Sequence, residues 1–462
     1  MDVAKADSGS WLKKALALAA LVLLVFIAQG IFFVGKAPSI EIRPAMPAMG
    51  KQTPFQVEVS EPRRGLTYVR IECIQGDNAV TLIDKTYRAG SQFFLWGRKT
   101  GTDTLTGTAG SLNVPGLKEG SALIRVTAGR AATWLRRPGP VTDEISLSVR
   151  LTPPSIQITS MHTYVSRGGS GLVTYRVGQT AVRDGVRAGS WWFPGYSLPG
   201  GGEQDRFALF AVPYDMDQPD VRLTAADDAG NEAEKTFIDG FNAKPFKSDT
   251  LNISDEFISK VVPEILAQTP DMQDLGDPLE NYLEINRELR IKDAGTIKAL
   301  AQESKPEFLW SGPFRMLPSS KVMATFGEKR TYRYNGKVVD HQTHLGYDFA
   351  SIRHAPVPAP NDGIIVLAHY LGIYGNAVII DHGYGLMSIS GHLSSIAVKE
   401  GQRVSKGDVI GNTGATGLAG GDHLHFCTLL QGLPVNPLEW ADGHWIRDRI
   451  TRKLDEAKKL QP

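Results

Sequence analysis

The chain has 462 residues, with 50 Lys and Arg against 49 Asp and Glu, a formal charge of +1. That balance gives no case for a nucleic-acid partner, and two cysteines, Cys73 and Cys427, cannot build a disulfide framework. A chain of this length is expected to divide into about three domains, each with its own core.

Residues 1–14 carry Lys5, Lys13 and Lys14 and precede Ala15 to Val34, where only Gln29 and Gly30 interrupt an apolar run of twenty residues. At about 1.5 Å per helical residue this run can cross a hydrocarbon core of about 30 Å. A secretory signal has an apolar core of about 7 to 15 residues ending at small residues. Here Ile31 to Val34 prolong the run, so residues 15–34 read as an uncleaved transmembrane anchor. With only Lys36 following closely, the lysines place residues 1–14 in the cytoplasm and the rest outside.

From 37 to 152 the chain shows short alternating runs, such as Val69, Ile71 and Cys73, or Ile145, Leu147, Val149 and Leu151, broken by glycine and proline. Alternation marks half-buried strands. Pro153 and Pro154 read as a linker, and residues 155–245 repeat the pattern. The expectation is two tandem β-sandwiches similar to immunoglobulin-like domains, without the cysteine and tryptophan signature of that fold. Residues 250–310 are expected to be a small helical segment. Asp277, Pro278 and Glu280 there form a helix start, with an aspartate cap, proline at the first position and an acid three residues on. Residues 442–462, with Ile446, Ile450 and Leu454 at helical spacing, read as a C-terminal amphipathic helix packed on its own protein.

The chemistry lies in 311–441. His344 and Asp348 stand four residues apart with Gly346 between them, and His423 and His425 stand two apart. On strands each pair would share a face. His344, Asp348 and one histidine of the second pair make up the three-ligand count of a catalytic zinc site, which keeps its fourth position open. A strand-like run from Met387 to Gly391 then delivers His392. His341, His354, His369, His382 and His444 lack such spacing and read as structural or exposed, with His341 nearest the site.

These residues resemble the lysostaphin-like zinc endopeptidases of bacterial peptidoglycan. The resemblance covers about Ser311 to Trp440. It rests on His344 to Asp348, on Gly391 to Ser394, and on Gly421 to Phe426 after a glycine-rich turn, with strand pairs from Val398 to Gly411 between them. Two positions depart from it: Ser390 stands where the family often has an aromatic residue and Cys427 where it often has an acid, which bears on the shape of the substrate groove. The resemblance implies a C-terminal all-β catalytic domain in a multidomain, mainly β chain. It also implies Zn2+ held by His344, Asp348 and His425. His392 and His423 would share the roles of proton acceptor from the attacking water and donor to the oxyanion. The substrate would be a peptidoglycan stem or cross-bridge peptide, and the chain a single-pass protein of the bacterial inner membrane with its catalytic domain in the periplasm. Three other readings compete: a catalytically inactive relative that activates another hydrolase, a non-haem iron site with the same two-histidine, one-carboxylate count, and a lipoyl-like carrier or sugar-phosphotransfer module suggested by the strand pairs from Gly401 to Gly411, which shows no lysine at a hairpin tip with carrier-type flanks.

Overall fold

The structure is a computed structural model that describes residues 8–89 and 98–459. Lys5, part of the charge bias at the N-terminus, lies outside the described residues. The chain folds as two compact units: Met1–Pro154 with Ala226–Glu232, and Ser155–Ala225 with Ala233–Pro462.

In the first unit a helix spans Ser8–Phe32, and its stretch Ser10–Phe32 is long and apolar enough to cross a membrane; a signal sequence has the same character. Its C-terminal carbonyls, which lack partners within the helix, meet the Arg64 guanidinium, which donates to Gly30 O and Phe33 O. Beyond the helix, a three-stranded sheet (Ser39–Pro44, Thr53–Ser60, Thr102–Ala109) packs on a five-stranded one built around Gly120–Arg130 and Leu66–Gln75. The alternation in the sequence becomes burial. Val57 and Val59 from one sheet meet Val69, Ile71, Ile124 and Val126 from the other, with Cys73 a buried free thiol among them.

In the second unit, two four-stranded sheets centred on Ser170–Val177 with Asp205–Ala211, and on Ala181–Ala188 with Val221–Asp227, share a core with the C-terminal helical run. Ile446, Ile450, Leu454 and Ala457 are buried in that core, and the Lys453 ammonium donates to Thr163 Oγ1 and Leu172 O at 2.8 Å each. The run consists of the helix Gly443–Ile446, a π-helical turn Arg447–Thr451 and the helix Arg452–Lys459.

The strands of the large C-terminal sheet follow the order Lys321–Ala324, Tyr347–Ala350, Leu424–Leu430, Leu386–Gly391, Gly375–Gly383, Gly363–Leu371, Arg403–Val404. Alternation sorts side chains to two faces. Val378, Ile380, Leu424 and Phe426 fill one core, while Ala377, Ile379, Cys427 and Leu429 fill another, closed by Ile297 and Ala301 of the helix Arg290–Gln302.

Residues 250–310 are not helical throughout. Ser248–Ile253 is a strand pairing in parallel with Glu328–Tyr334, which pairs antiparallel with Lys337–His344. Its last residue, Ile253, is buried, and pairing along a catalytic-domain strand overrides the helical setting. Helices follow at Asp255–Gln268, capped by Ser254, and at Pro278–Glu284, capped by Asp277 through Leu279 N and Glu280 N. A π-helical turn, Ile285–Leu289, then joins the latter to Arg290–Gln302.

Candidate functional site

Strand register assembles the centre of the site. Asp348 stands opposite His425, and His425 stands opposite Gly391, so three neighbouring strands bring an acid, an imidazole and the residue before His392 side by side. His425 lies on the same strand face as Cys427 and Leu429, the face covered by the helix Arg290–Gln302.

His344 and Asp348 do not share one strand, as an i, i+4 pair on a continuous strand would. His344 ends Lys337–His344 in the three-stranded sheet, the chain turns at Leu345 and Gly346, and Asp348 belongs to Tyr347–Ala350 in the large sheet. Only glycine fits at this turn. A Cβ at Gly346 would lie 2.5 Å from His425 Cε1 and 2.6 Å from its Nε2. His392 follows its strand with φ at +62°, a left-handed conformation that is uncommon outside glycine. Its backbone N–H donates to Tyr374 O at 2.7 Å, fixing that turn.

His344 Nε2 lies 2.9 Å from Asp348 Oδ1 and 3.2 Å from His425 Nδ1, and His425 Nδ1 lies 2.9 Å from the same carboxylate oxygen. Second partners orient these groups. His344 Nδ1–H donates to Thr325 O at 3.0 Å, so in the neutral ring Nε2 presents its lone pair to the cluster. Asp348 Oδ2 accepts from Arg330 Nη2 at 3.1 Å, and Arg330 also faces Glu328 Oε1 at 3.4 Å. Two imidazole nitrogens and a carboxylate oxygen, buried and converging on one point, fit a divalent cation of the zinc type.

His392 and His423 stand beside this cluster, their rings 4.8 Å apart. Each donates from Nδ1 to a backbone carbonyl, His392 to Thr416 O at 2.9 Å and His423 to Gly421 O at 2.8 Å, leaving Nε2 as the free nitrogen. His423 Nε2 lies 3.6 Å from Asp348 Oδ1. Burial disfavours the charged Asp348, but hydrogen bonds and charge from His344 and His425 outweigh it and hold the carboxyl well below its ordinary range. Burial pushes His425 down to about 4; burial, with His423 and His425 nearby, lowers His392 well below its ordinary value. The rings of His425 and His392 are therefore neutral at physiological pH.

Residues 342–437 match the model of Peptidase family M23. This segment is a peptidase M23 domain. The chain is 38% identical over 122 residues to the DD-carboxypeptidase/endopeptidase Mpg of Neisseria meningitidis, covering 26% of this chain and 27% of that protein. It is 37% identical over 119 residues to the peptidoglycan DD-endopeptidase ShyA of Vibrio cholerae, with the same two coverages. The matched part thus spans about a quarter of either relative. Among solved structures, the catalytic domain of lysostaphin from Staphylococcus simulans aligns at 27% identity with a TM-score of 0.25, covering 28% of this chain and 98% of that one.

The M23 domain alone does not complete the site. A cavity of about 560 Å³ contains the five histidine and aspartate residues together with Tyr214, Tyr282, Arg290 and Arg330, which all precede residue 342. Ser390 and Cys427, the two departures from the family pattern, are buried in the sheet and do not line this cavity, so they do not shape the groove directly. His341 is exposed, with Nδ1 3.3 Å from Thr331 Oγ1, and is not drawn into the site as expected; it alternates with buried Asp340 on its strand. His354 and His369 are also exposed, and His382 is buried between Asp362 O and Ser388 Oγ. Sequence reasoning missed Arg330, Thr325 and Tyr374. Arg330 belongs to no motif, Thr325 acts through its backbone, and for Tyr374, whose ring lies 5.6 Å from that of His425, the one signal was its place between Gly372 and Gly375.

Proposed function

We propose that this chain is a membrane-anchored zinc endopeptidase that hydrolyses peptide bonds in peptidoglycan stems or cross-bridges from the periplasmic side of the inner membrane. The observation that carries the reading is the convergence of His344 Nε2, Asp348 Oδ1 and His425 Nδ1, all within 4.8 Å of one another, with two further imidazoles alongside. The names of the relatives, a DD-carboxypeptidase/endopeptidase and a peptidoglycan DD-endopeptidase, support the substrate class and favour a D,D-linked bond.

His344, Asp348 and His425 would hold the metal, with Arg330 and Thr325 O keeping two of them in orientation. Zinc, when bound, polarises the scissile carbonyl and brings the pKa of a bound water to about 7. His392 and His423 would do the proton work. Each has Nδ1–H tied to a carbonyl and Nε2 unprotonated, so one can accept the proton of the attacking water at Nε2, and the other, once protonated at Nε2, can donate to the oxygen that becomes negative. Retention of all three ligand positions speaks against an inactive activator. The apolar helix Ser8–Phe32, long enough to cross a membrane, supports the anchor.

Purified sacculi digested with the detergent-solubilised chain, with and without chelator, test this reading. Release of muropeptides that mass spectrometry assigns to peptide cleavage, abolished by chelator and restored by zinc, is expected. Sacculi left intact by a zinc-loaded chain would overturn it.

A further inference from the structure

Arg290 lines the cavity that holds the family motifs, from a part of the chain outside the M23 match. It opens the helix Arg290–Gln302 directly after the π-helical turn Ile285–Leu289. Single π turns recur at functional sites because the extra residue re-aims the side chains around it. Here the turn places Asn286, fully buried, between two charged groups. Asn286 Nδ2 donates to Asp340 Oδ2 at 2.8 Å, and its Oδ1 accepts from Arg290 Nη2 at 2.8 Å, while its backbone O accepts from Arg290 Nε at 3.2 Å.

Asp340 pairs directly with Arg287 at 3.0 Å and reaches Arg290 only through the Asn286 amide. Asp293, one turn along, accepts from Ile373 N at 2.8 Å. Among the described residues no carboxylate lies within ion-pair distance of Arg290. The other cavity arginine, Arg330, is engaged by Asp348 and Glu328. Arg290 is thus a guanidinium held in place by two neutral acceptors of one asparagine, with no further hydrogen-bond partner among the described residues. A preorganised fork of this kind matches a carboxylate bidentately.

We infer that Arg290 reads a carboxylate of the peptide bound in this cavity, making the substrate an anionic peptide. This rests on the peptidase reading above. The carboxylate can come from a peptide C-terminus or from an acidic side chain, and the chemistry of recognition is the same.

The test uses the full chain in detergent with four forms of one stem peptide: both carboxyls free, the C-terminus amidated, the side chain amidated, and both amidated. The expected result is that amidating one of the two carboxyls lowers kcat/KM about tenfold to a hundredfold, mainly through KM, and identifies which source is read. In Arg290→Gln the ratio of free to amidated peptide falls towards one, and Arg290→Lys, which keeps the charge without the fork, is intermediate. If Arg290→Gln changes free and amidated peptides by the same factor, up or down, while Arg290→Lys behaves as the parent, the arginine only covers or supports the groove and the inference fails. Calorimetric binding of the same peptides to the metal-free chain separates this from the peptidase reading. Carboxylate-dependent binding that Arg290→Gln abolishes upholds the inference even if no peptide is cut. Turnover or binding indifferent to amidation overturns it, as does the absence of both.

Discussion

Glu439 offers a perturbation whose sign and size follow from its surroundings. It lies in the short helix Pro437–Ala441, and its Oε2 accepts from Ser170 N at 2.7 Å and Ser170 Oγ at 3.2 Å, joining the end of the catalytic domain to a strand 269 residues earlier. Burial pushes its pKa up from 4.5 to about 7, with the Ser170 bonds pulling the other way. A carboxyl raised in the folded state stabilises fully below its unfolded value, and that contribution is lost as pH rises through about 7. The difference between the two values corresponds to about 3 kcal/mol at most. Glu439→Gln keeps an acceptor for Ser170 N–H at every pH and removes the ionisation. The expected result is near-equal stability of parent and variant at pH 4, with the variant more stable by about 2–3 kcal/mol at pH 8. Urea titrations across this range, followed by the fluorescence of the Trp310, Trp440 and Trp445 cluster, measure it. Parallel pH profiles for parent and variant would mean that the carboxylate is solvated and the reasoning wrong.

Asp348→Asn is expected to lose both zinc and hydrolysis, whereas His423→Ala keeps near-stoichiometric zinc and hydrolyses poorly; metal analysis beside a sacculus digestion separates them, and equal zinc loss in both would refute the division of roles. Gly346→Ala puts a methyl 2.5 Å from His425 Cε1, so metal content should fall with little change in the far-ultraviolet dichroism. Arg330→Gln releases Asp348 Oδ2 and should lower activity about 10-fold to 100-fold, read as kcat/KM on a soluble peptide. An unchanged value would mean that Asp348 is positioned by the metal alone.

The elements legible from sequence are those fixed by local chemistry. Asp277 caps a helix because its side chain reaches Leu279 N and Glu280 N, and Val57 alternates with exposed Gln56 because one face of the strand is buried. What was not legible depends on distant pairing. His344 reaches Asp348 across a turn between two sheets, a geometry that strand periodicity alone does not distinguish from a continuous strand. Ser248–Ile253 becomes a strand because Glu328–Tyr334 offers it an edge some eighty positions later. Arg330 and Arg290 have no spacing to betray them. Both act from elements whose sequence records only their own burial.

Every proposed metal donor falls within residues 342–437, yet Thr325, Arg330 and Arg290 fall before it. A fragment trimmed to the homologous stretch would carry the reactive cluster stripped of its braces and of one side of its mouth. On the proposals above, the upstream stretch holds both the braces of the cluster and the arginine that reads the substrate, so changes there would retune what is accepted and how fast it is cut together.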